Sequence, residues 1–309
     1  MKKFFKACKK NLATFKKNVV NFFTNSTFIN KAKKTKPVLL FKKTNKMLLP
    51  YTILMILLIV IPLVIILFYS LIGATGNSLI FEINFKNFLD FFREGSFMIS
   101  LLLSLGFALA AALIAIVIGY PVAYIMAFSN SKFLTKNIWI LVTLPIWINM
   151  ILKVIGLQTL FQIISPTLIG TPISIILGMV YAFIPFVILP IYNSLEKTDR
   201  TLIEASRDLG AGHIKTFWKV TFRQSLPGVI TGGILLLVQA STSLIIFKFL
   251  GGGQISSIVQ VIESYFFKGG NFGLGAAISV VMALIIFIII IVSKYAAHYF
   301  ENNKRKVKN

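Results

Sequence analysis

Six apolar runs, each long enough to cross a bilayer, constrain this chain more than any other feature. They lie near 48–72, 97–128, 137–156, 173–194, 226–248 and 274–297. About 20 residues at 1.5 Å rise span the ~30 Å of hydrocarbon. Charged residues make up only 13% of the 309-residue sequence, against roughly 25% in soluble domains. The expectation is an all-α polytopic membrane protein with about six transmembrane helices. The first run is too long for a signal-peptide core and lacks a small-residue cleavage pattern, so it reads as a retained helix. The second run is over-long, which predicts a bend or a loop start at Gly119-Tyr120-Pro121.

The loop charges orient these runs. Lys and Arg total 32 against 9 Asp and Glu, a net charge of +23. A nucleic-acid binder would carry that excess on a folded polar domain; a membrane chain carries it in cytoplasmic segments. With both termini inside, segments 1–47, 129–136, 195–225 and 294–309 hold 27 of the 32 basic residues. The other five are Lys86, Arg93, Lys153, Lys248 and Lys268, assigned to outer loops or outer helix ends. The division that follows is a Lys-rich cytoplasmic tail (1–46), a first transmembrane helix with its external loop (47–96), a transmembrane core (97–297) and a basic cytoplasmic tail (298–309). The tail 1–46 has fourteen Lys and no acidic residue, which suits anionic lipid. Phe4, Phe5, Phe15, Phe22 and Phe23 fit a short interfacial helix, and a solvated topogenic tail fits equally. Cys8 is the single cysteine, so no internal disulfide forms. The abundance of Lys, Asn, Ile and Phe points to an AT-rich bacterial genome and a bacterial plasma membrane.

No Asp or Glu falls within the six runs. Ion-coupled transporters carry intramembrane ionisable groups for their coupling ion, so that class is disfavoured. No phosphate-binding G-x-x-x-x-G-K loop is present, and no hydrolase constellation. His213 and His298 read as surface residues among lysines. A chain that drives uphill transport with this sequence draws its energy from another polypeptide.

The segment 195–225 differs from the other inner loops. Thr201 and Glu204 have capping-box spacing, with Thr198 or Asp199 as alternative caps. Leu202, Ala205, Ser206 and Leu209 share one helical face, with Arg207 and Asp208 beside it. Gly210 and Gly212 then stop the helix, and Ile214, Phe217 and Trp218 make a second apolar turn. Two readings fit this helix–bend–helix over about 199–219: an interfacial helix on lipid, or a knob that docks into a cytoplasmic partner.

Glu204-Ala205-Ser206-x-x-x-Gly210 resembles the EAA motif of permease subunits of type I ABC importers. The wider match resembles the first permease subunit of spermidine/putrescine systems. It rests on Gly119-Tyr-Pro-Val-Ala-Tyr124, Leu144-Pro-Ile-Trp-Ile-Asn149, Ile155-Gly-Leu157, the run from Ile184 to Lys197, Leu202 to Ala211, and Leu226-Pro-Gly228. The resemblance covers about 50–297. It implies a type I ABC importer permease fold and a pore-forming subunit without its own nucleotide site, and so no enzyme. It also implies a cytoplasmic ABC ATPase dimer that holds ATP and Mg, a second permease subunit, and an extracellular polyamine-binding protein. No cofactor in this chain and no nucleic-acid partner are implied, with membrane lipid as surroundings. Glu204, Ala205, Ser206, Asp208 and Gly210 become the ATPase-coupling candidates.

Three features depart from the family pattern. Ser206 replaces the usual second Ala, with little effect expected from so small a change. Arg223 stands where the pattern ends in Pro, so the fifth span is expected to start differently. The tail 1–46 is longer than the pattern requires. Along the solute path, the polar and aromatic candidates are Trp147, Asn149, Tyr181, Gln239, Ser241, Thr242 and Ser243, although most such residues mediate helix packing. The outer loops offer Glu82, Asp90, Glu94 and Glu263 against Lys86, Arg93 and Lys268, only weakly acidic for a polycation. Pro145, Pro185 and Pro190 free backbone carbonyls and would soften a gate, and Gly251-Gly252-Gly253 reads as a flexible loop start. The alternatives to polyamine import are a type I permease for a metal ion, oxyanion or sugar, and an ATP-independent channel or scaffold.

Overall fold

Within hydrocarbon a backbone must satisfy its own hydrogen bonds, so each apolar run is driven into helix. The computed structural model describes residues 38–72, 85–268 and 271–306. The readings that concern residues 1–37, Glu82 and the side chains of 38–47 and His298 lie outside the described residues. The chain forms two compact units, Met1–Val64 and Ile65–Asn309. In the first, helix α1 (Val38–Ser70) begins, and its apolar side chains at Leu48 and from Tyr51 to Val64 are exposed, as suits lipid.

The second unit contains the remaining elements. They are α2 (Lys86–Arg93), α3 (Gly95–Phe128), α4 (Lys132–Trp147), α5 (Met150–Ile164), α6 (Pro172–Phe183), α7 (Pro185–Glu196), α8 (Arg200–Asp208), α9 (His213–Thr216), α10 (Phe222–Ser241), α11 (Leu244–Leu250), α12 (Ile258–Phe267) and α13 (Phe272–Lys306). Among the described residues four helices are long and apolar enough to cross a membrane, or up to six if each of two bent pairs forms one span.

Those bends correct the straight-rod picture. The run 137–156 is interrupted at Ile148 and Asn149, where α4 and α5 meet at 101°. Pro145 removes an N–H near the end of α4, and the Asn149 side chain accepts from Ile151 N at 2.9 Å to start a new helix. The run 173–194 bends by 49° between Phe183 and Pro185. The run 226–248 is divided between a 29-residue helix, His213–Ser241, that starts in the 195–225 segment, and α11 (Leu244–Leu250). With Arg223 in place of proline, every position there can donate to the ladder; a π-turn at Phe217–Thr221 absorbs the join.

No loop starts at Gly119-Tyr120-Pro121. Helix α3 runs through all 34 residues, about 50 Å at 1.5 Å per residue. Neighbours hold it there: Gly119 lies against Ile188, and Tyr120 Oη shares a 2.9 Å hydrogen bond with Ser225 Oγ. Nor do Gly251-Gly252-Gly253 open a loose loop. Gly170 N (2.9 Å) and Ser174 Oγ (3.1 Å) both donate to Leu250 O, which makes the turn a packed junction.

Small residues line the α3 side of the core. Ala108, Ala111, Ala112, Ala115 and Ala123 are buried on one side of α3, which packs on α6, α7 and α10. Lipid is as apolar as leucine, so helices in a membrane associate by close backbone approach rather than hydrophobic burial. Gly228 and Gly232 of α10 provide the closest approach. A Cβ on Gly228 would lie 2.6 Å from Pro190 O, and one on Gly232 would lie 2.9 Å from Val187 O, both on α7. A second cluster joins α2, α3, α12 and α13 through Phe91, Phe97, Ile258 and Ile278. There Asn87 Nδ2 donates to Ser70 O and Ile72 O at 3.1 and 2.9 Å and ties off the chain leaving α1.

Candidate functional site

Two places in the second unit concentrate functional chemistry: the elbow around Gly210, and a cleft at the two helix breaks.

At the elbow, α8 is capped by Asp199, whose Oδ1 accepts from Thr201 N at 3.2 Å. The capping-box alternative is not formed, because Thr201 sits inside the helix and donates its hydroxyl to the same Asp199 Oδ1 at 2.7 Å. The helix ends on Gly210 at φ +78°. Gly210 N donates to Arg207 O (2.8 Å) and Ala211 N to Ser206 O (3.1 Å), a complete Schellman closure. Helix α9 then folds back, and Ser206 Oγ meets the buried Thr216 Oγ1 at 3.1 Å. The serine that replaces alanine in the motif thus fastens α8 to α9, a role invisible without Thr216 beside it.

The inner side of the elbow is anchored to the bundle. Arg200 Nη2 donates to Ala127 O at 3.2 Å, and its guanidinium lies over the Phe128 ring at 5.6 Å. Asp199 N donates to Gln224 Oε1 at 3.2 Å. Phe217 packs edge-on against Tyr120 and Tyr124, with centroids 5.6 and 5.9 Å away. The outer side is largely exposed, with Trp218 packed edge-on against Phe217 and Phe222. Leu209 is 88% exposed and Ile214 78% exposed, and Leu202 and Trp218 are exposed with them. Glu204, Ala205 and Asp208 are exposed on the same elbow, while Ser206 is half-buried. The arrangement is an apolar knob tied by hydrogen bonds to α3 and α10.

The cleft, about 560 Å³, is lined by residues from three places. Ile146–Met150 and Lys153 come from the α4–α5 break, Ala182, Phe183 and Phe186 from the α6–α7 break, and Gln239 from α10. Trp147 stands 88% exposed at its rim. Trp147, Asn149 and Gln239 are therefore brought together. Tyr181 (half exposed) and Thr242 do not line the cleft, and Thr242 Oγ1 donates to Val238 O at 2.9 Å. Ser241 is fully buried and donates to Val238 O at 3.1 Å. Ser243 is buried, and its hydroxyl has no partner among the described residues.

Sequence reasoning missed Lys153, which its flanking apolar residues had assigned to an outer helix end. It is only 9% exposed, and its Nζ donates to Ala182 O at 3.4 Å. Pro185 has no N–H for Tyr181 O, and Ala182 lies at the C-terminal end of α6, where the last carbonyls lack ladder partners. A cation at that negative helix end is electrostatically favoured. None of the residues lining the cleft is acidic.

Comparison with known proteins points one way. The family model described as "Binding-protein-dependent transport system inner membrane component" matches residues 119–306. The spermidine/putrescine transport system permease protein PotB of Haemophilus influenzae is 35% identical over 184 residues, 52% of this chain and 64% of that protein. Its Escherichia coli counterpart is 29% identical over 167 residues, 49% and 61% of the two chains. The matched region thus spans less than two thirds of these relatives. Among solved structures, a chain of a bacterial ABC transporter involved in alginate import superposes with a TM-score of 0.66 at 14% identity, covering 89% of this chain and 99% of that one. A chain of the inward-facing methionine transporter MetNI gives 0.56 at 19% identity, with 66% and 95% covered. At such identities the likeness is one of fold: that of type I ABC importer permeases.

Proposed function

The chain belongs to the binding-protein-dependent transport system inner membrane component family, and on that premise we propose that it is a pore-forming permease subunit of an ATP-driven polyamine importer. The exposed knob of Leu202, Leu209, Ile214 and Trp218, rooted in α3 and α10, carries this reading. Apolar side chains on a polar loop outside the spans call for a cover, and a cleft in a cytoplasmic ATPase dimer supplies one. A second permease subunit completes the path along the open side of the cleft at Trp147. An external binding protein captures the solute, so the chain itself needs no high-affinity carboxylate site. ATP and Mg reside on the ATPase.

Proteoliposomes holding this chain, a second permease, the ATPase and the binding protein are expected to accumulate labelled spermidine or putrescine with ATP, and to stop when the ATPase is omitted. Accumulation by this chain alone under an ion gradient would refute the coupling claim. One observation favours a second reading: a buried lysine in a cleft without carboxylates suits an anionic solute. ATP-dependent uptake of an anion without polyamine competition would select that reading and retain the permease.

Both termini lie in the cytoplasm in this proposal, because 27 of 32 basic residues then face inward. In intact cells of a variant lacking Cys8, Thr167→Cys is expected to react with an impermeant thiol reagent and Asp208→Cys to remain unlabelled. The reverse pattern would invert the topology.

A further inference from the structure

Lys153 gives the cleft a feature that a polycation permease would not be expected to tolerate. Its ammonium is held inside, against Ala182 O near the carbonyl end of α6 and beside the α6–α7 break. The contact with Ala182 O is 3.4 Å, longer than a well-formed N–H···O bond of about 2.9–3.0 Å. No carboxylate lines the cleft to pair with it. The remaining acceptors are the side-chain oxygens of Asn149 and Gln239, and Asn149 already uses Oδ1 to cap α5. The faces of Phe183, Phe186 and Trp147 offer only the weaker attraction of rings for cations.

We propose that the carbonyl end of α6 at Ala182 is a primary-ammonium site on the solute path, with Lys153 as its resident, displaceable occupant. The inference rests on the polyamine reading. A lysine side chain and the end of a polyamine carry the same group: –NH₃⁺ on an alkyl stem, with three donors. A carbonyl that accepts from one accepts from the other. When a polyamine end reaches Ala182 O, the Lys153 ammonium gives up its long bond and stays nearby as a like charge. That repulsion raises the free energy of bound solute, so the site passes polyamine on instead of retaining it. The lysine thereby keeps the site closed to metal cations when no solute is present, because an ammonium already occupies its acceptor. A lysine that merely capped α6 would show none of this competition.

Two measurements on the purified importer with its co-purifying subunits test the proposal. The first needs no variant. Acetylation of Lys153 relative to the exposed Lys132 in the same sample, read by peptide mass spectrometry, is expected to rise several-fold in 1,4-diaminobutane; the ratio cancels the reagent that the diamine itself consumes. It is expected to stay unchanged at the same ionic strength of tetramethylammonium, which has no N–H to donate. Equal labelling in both salts would overturn the ammonium site. In the second, Lys153→Met in the complex without binding protein is expected to retain about tenfold more labelled spermidine than wild type, since one like charge has been removed. Lys153→Arg keeps the charge and is expected to retain as little as wild type. Unchanged retention in Lys153→Met, with only a lower melting temperature, would reduce the residue to a helix cap and overturn the proposal. Wild-type uptake separates the two layers: absence of spermidine and putrescine uptake defeats the polyamine reading, while diamine-dependent labelling still decides the site.

Discussion

Gly210→Val is expected to reduce uptake to background, at least a hundredfold, while the protein remains in the membrane. Gly210 closes the Schellman turn at φ +78°, and no neighbouring atom lies within 4 Å of where a Cβ would stand. The effect is therefore one of backbone conformation alone. A β-branched residue resists the left-handed region, at a cost of about 1–3 kcal/mol. The local loop can avoid that cost by opening, which redirects α9 and separates Ser206 from Thr216. In the proposed importer the knob would then meet the ATPase in the wrong orientation, uncoupling ATP hydrolysis from the spans. Gly210→Asn is the decisive control, because Asn reaches positive φ at small cost and is expected to keep most uptake. Full uptake in Gly210→Val, with normal ATPase co-purification, would remove the elbow from the mechanism.

Gly228→Ala is expected to be among the most damaging single-methyl changes in the chain. The added Cβ would lie 2.5 Å from Ser194 Cβ and 2.6 Å from Pro190 O, and the second of these is backbone that cannot rotate away. Helix α10 must move off α7, and that shift also loosens the Gly232–Val187 contact one turn further on. Overpacking a well-filled interface costs about 1–3 kcal/mol, a large share of the stability of a membrane bundle. The melting temperature in detergent should fall, and the yield of intact protein with it. Gly156→Ala is the matched control: it also places a methyl on a helix, but with no atom within 4 Å. It is expected to be neutral or slightly stabilising, since alanine is the better helix former by up to about 1 kcal/mol. Equal melting temperatures for the two variants would mean that the close approach of α7 and α10 does not support the fold.

The same two glycines mark how far sequence reaches in this protein. Gly210 follows an amphipathic turn whose periodicity can be read by eye, and its role depends on φ, a property of one residue. The elbow over 199–219, its apolar face and its stop were legible for that reason. Hydropathy likewise located every apolar run, because the length that crosses hydrocarbon is set by helix rise alone. Hydropathy is blind to which apolar side faces lipid and which faces another helix, since the two surroundings are equally apolar. Gly228 carries no signal of its own, because its importance lies in Pro190 O on a different helix. Tyr120 and Ser225 are 105 positions apart and Lys153 and Ala182 are 29 apart, so each pairing exists only once the bundle is assembled. The break at Ile148 and Asn149 likewise turned a run that reads as one rod into two helices at 101°. That turn brought a lysine, which any charge count would place near water, into the interior beside the carbonyl end of α6.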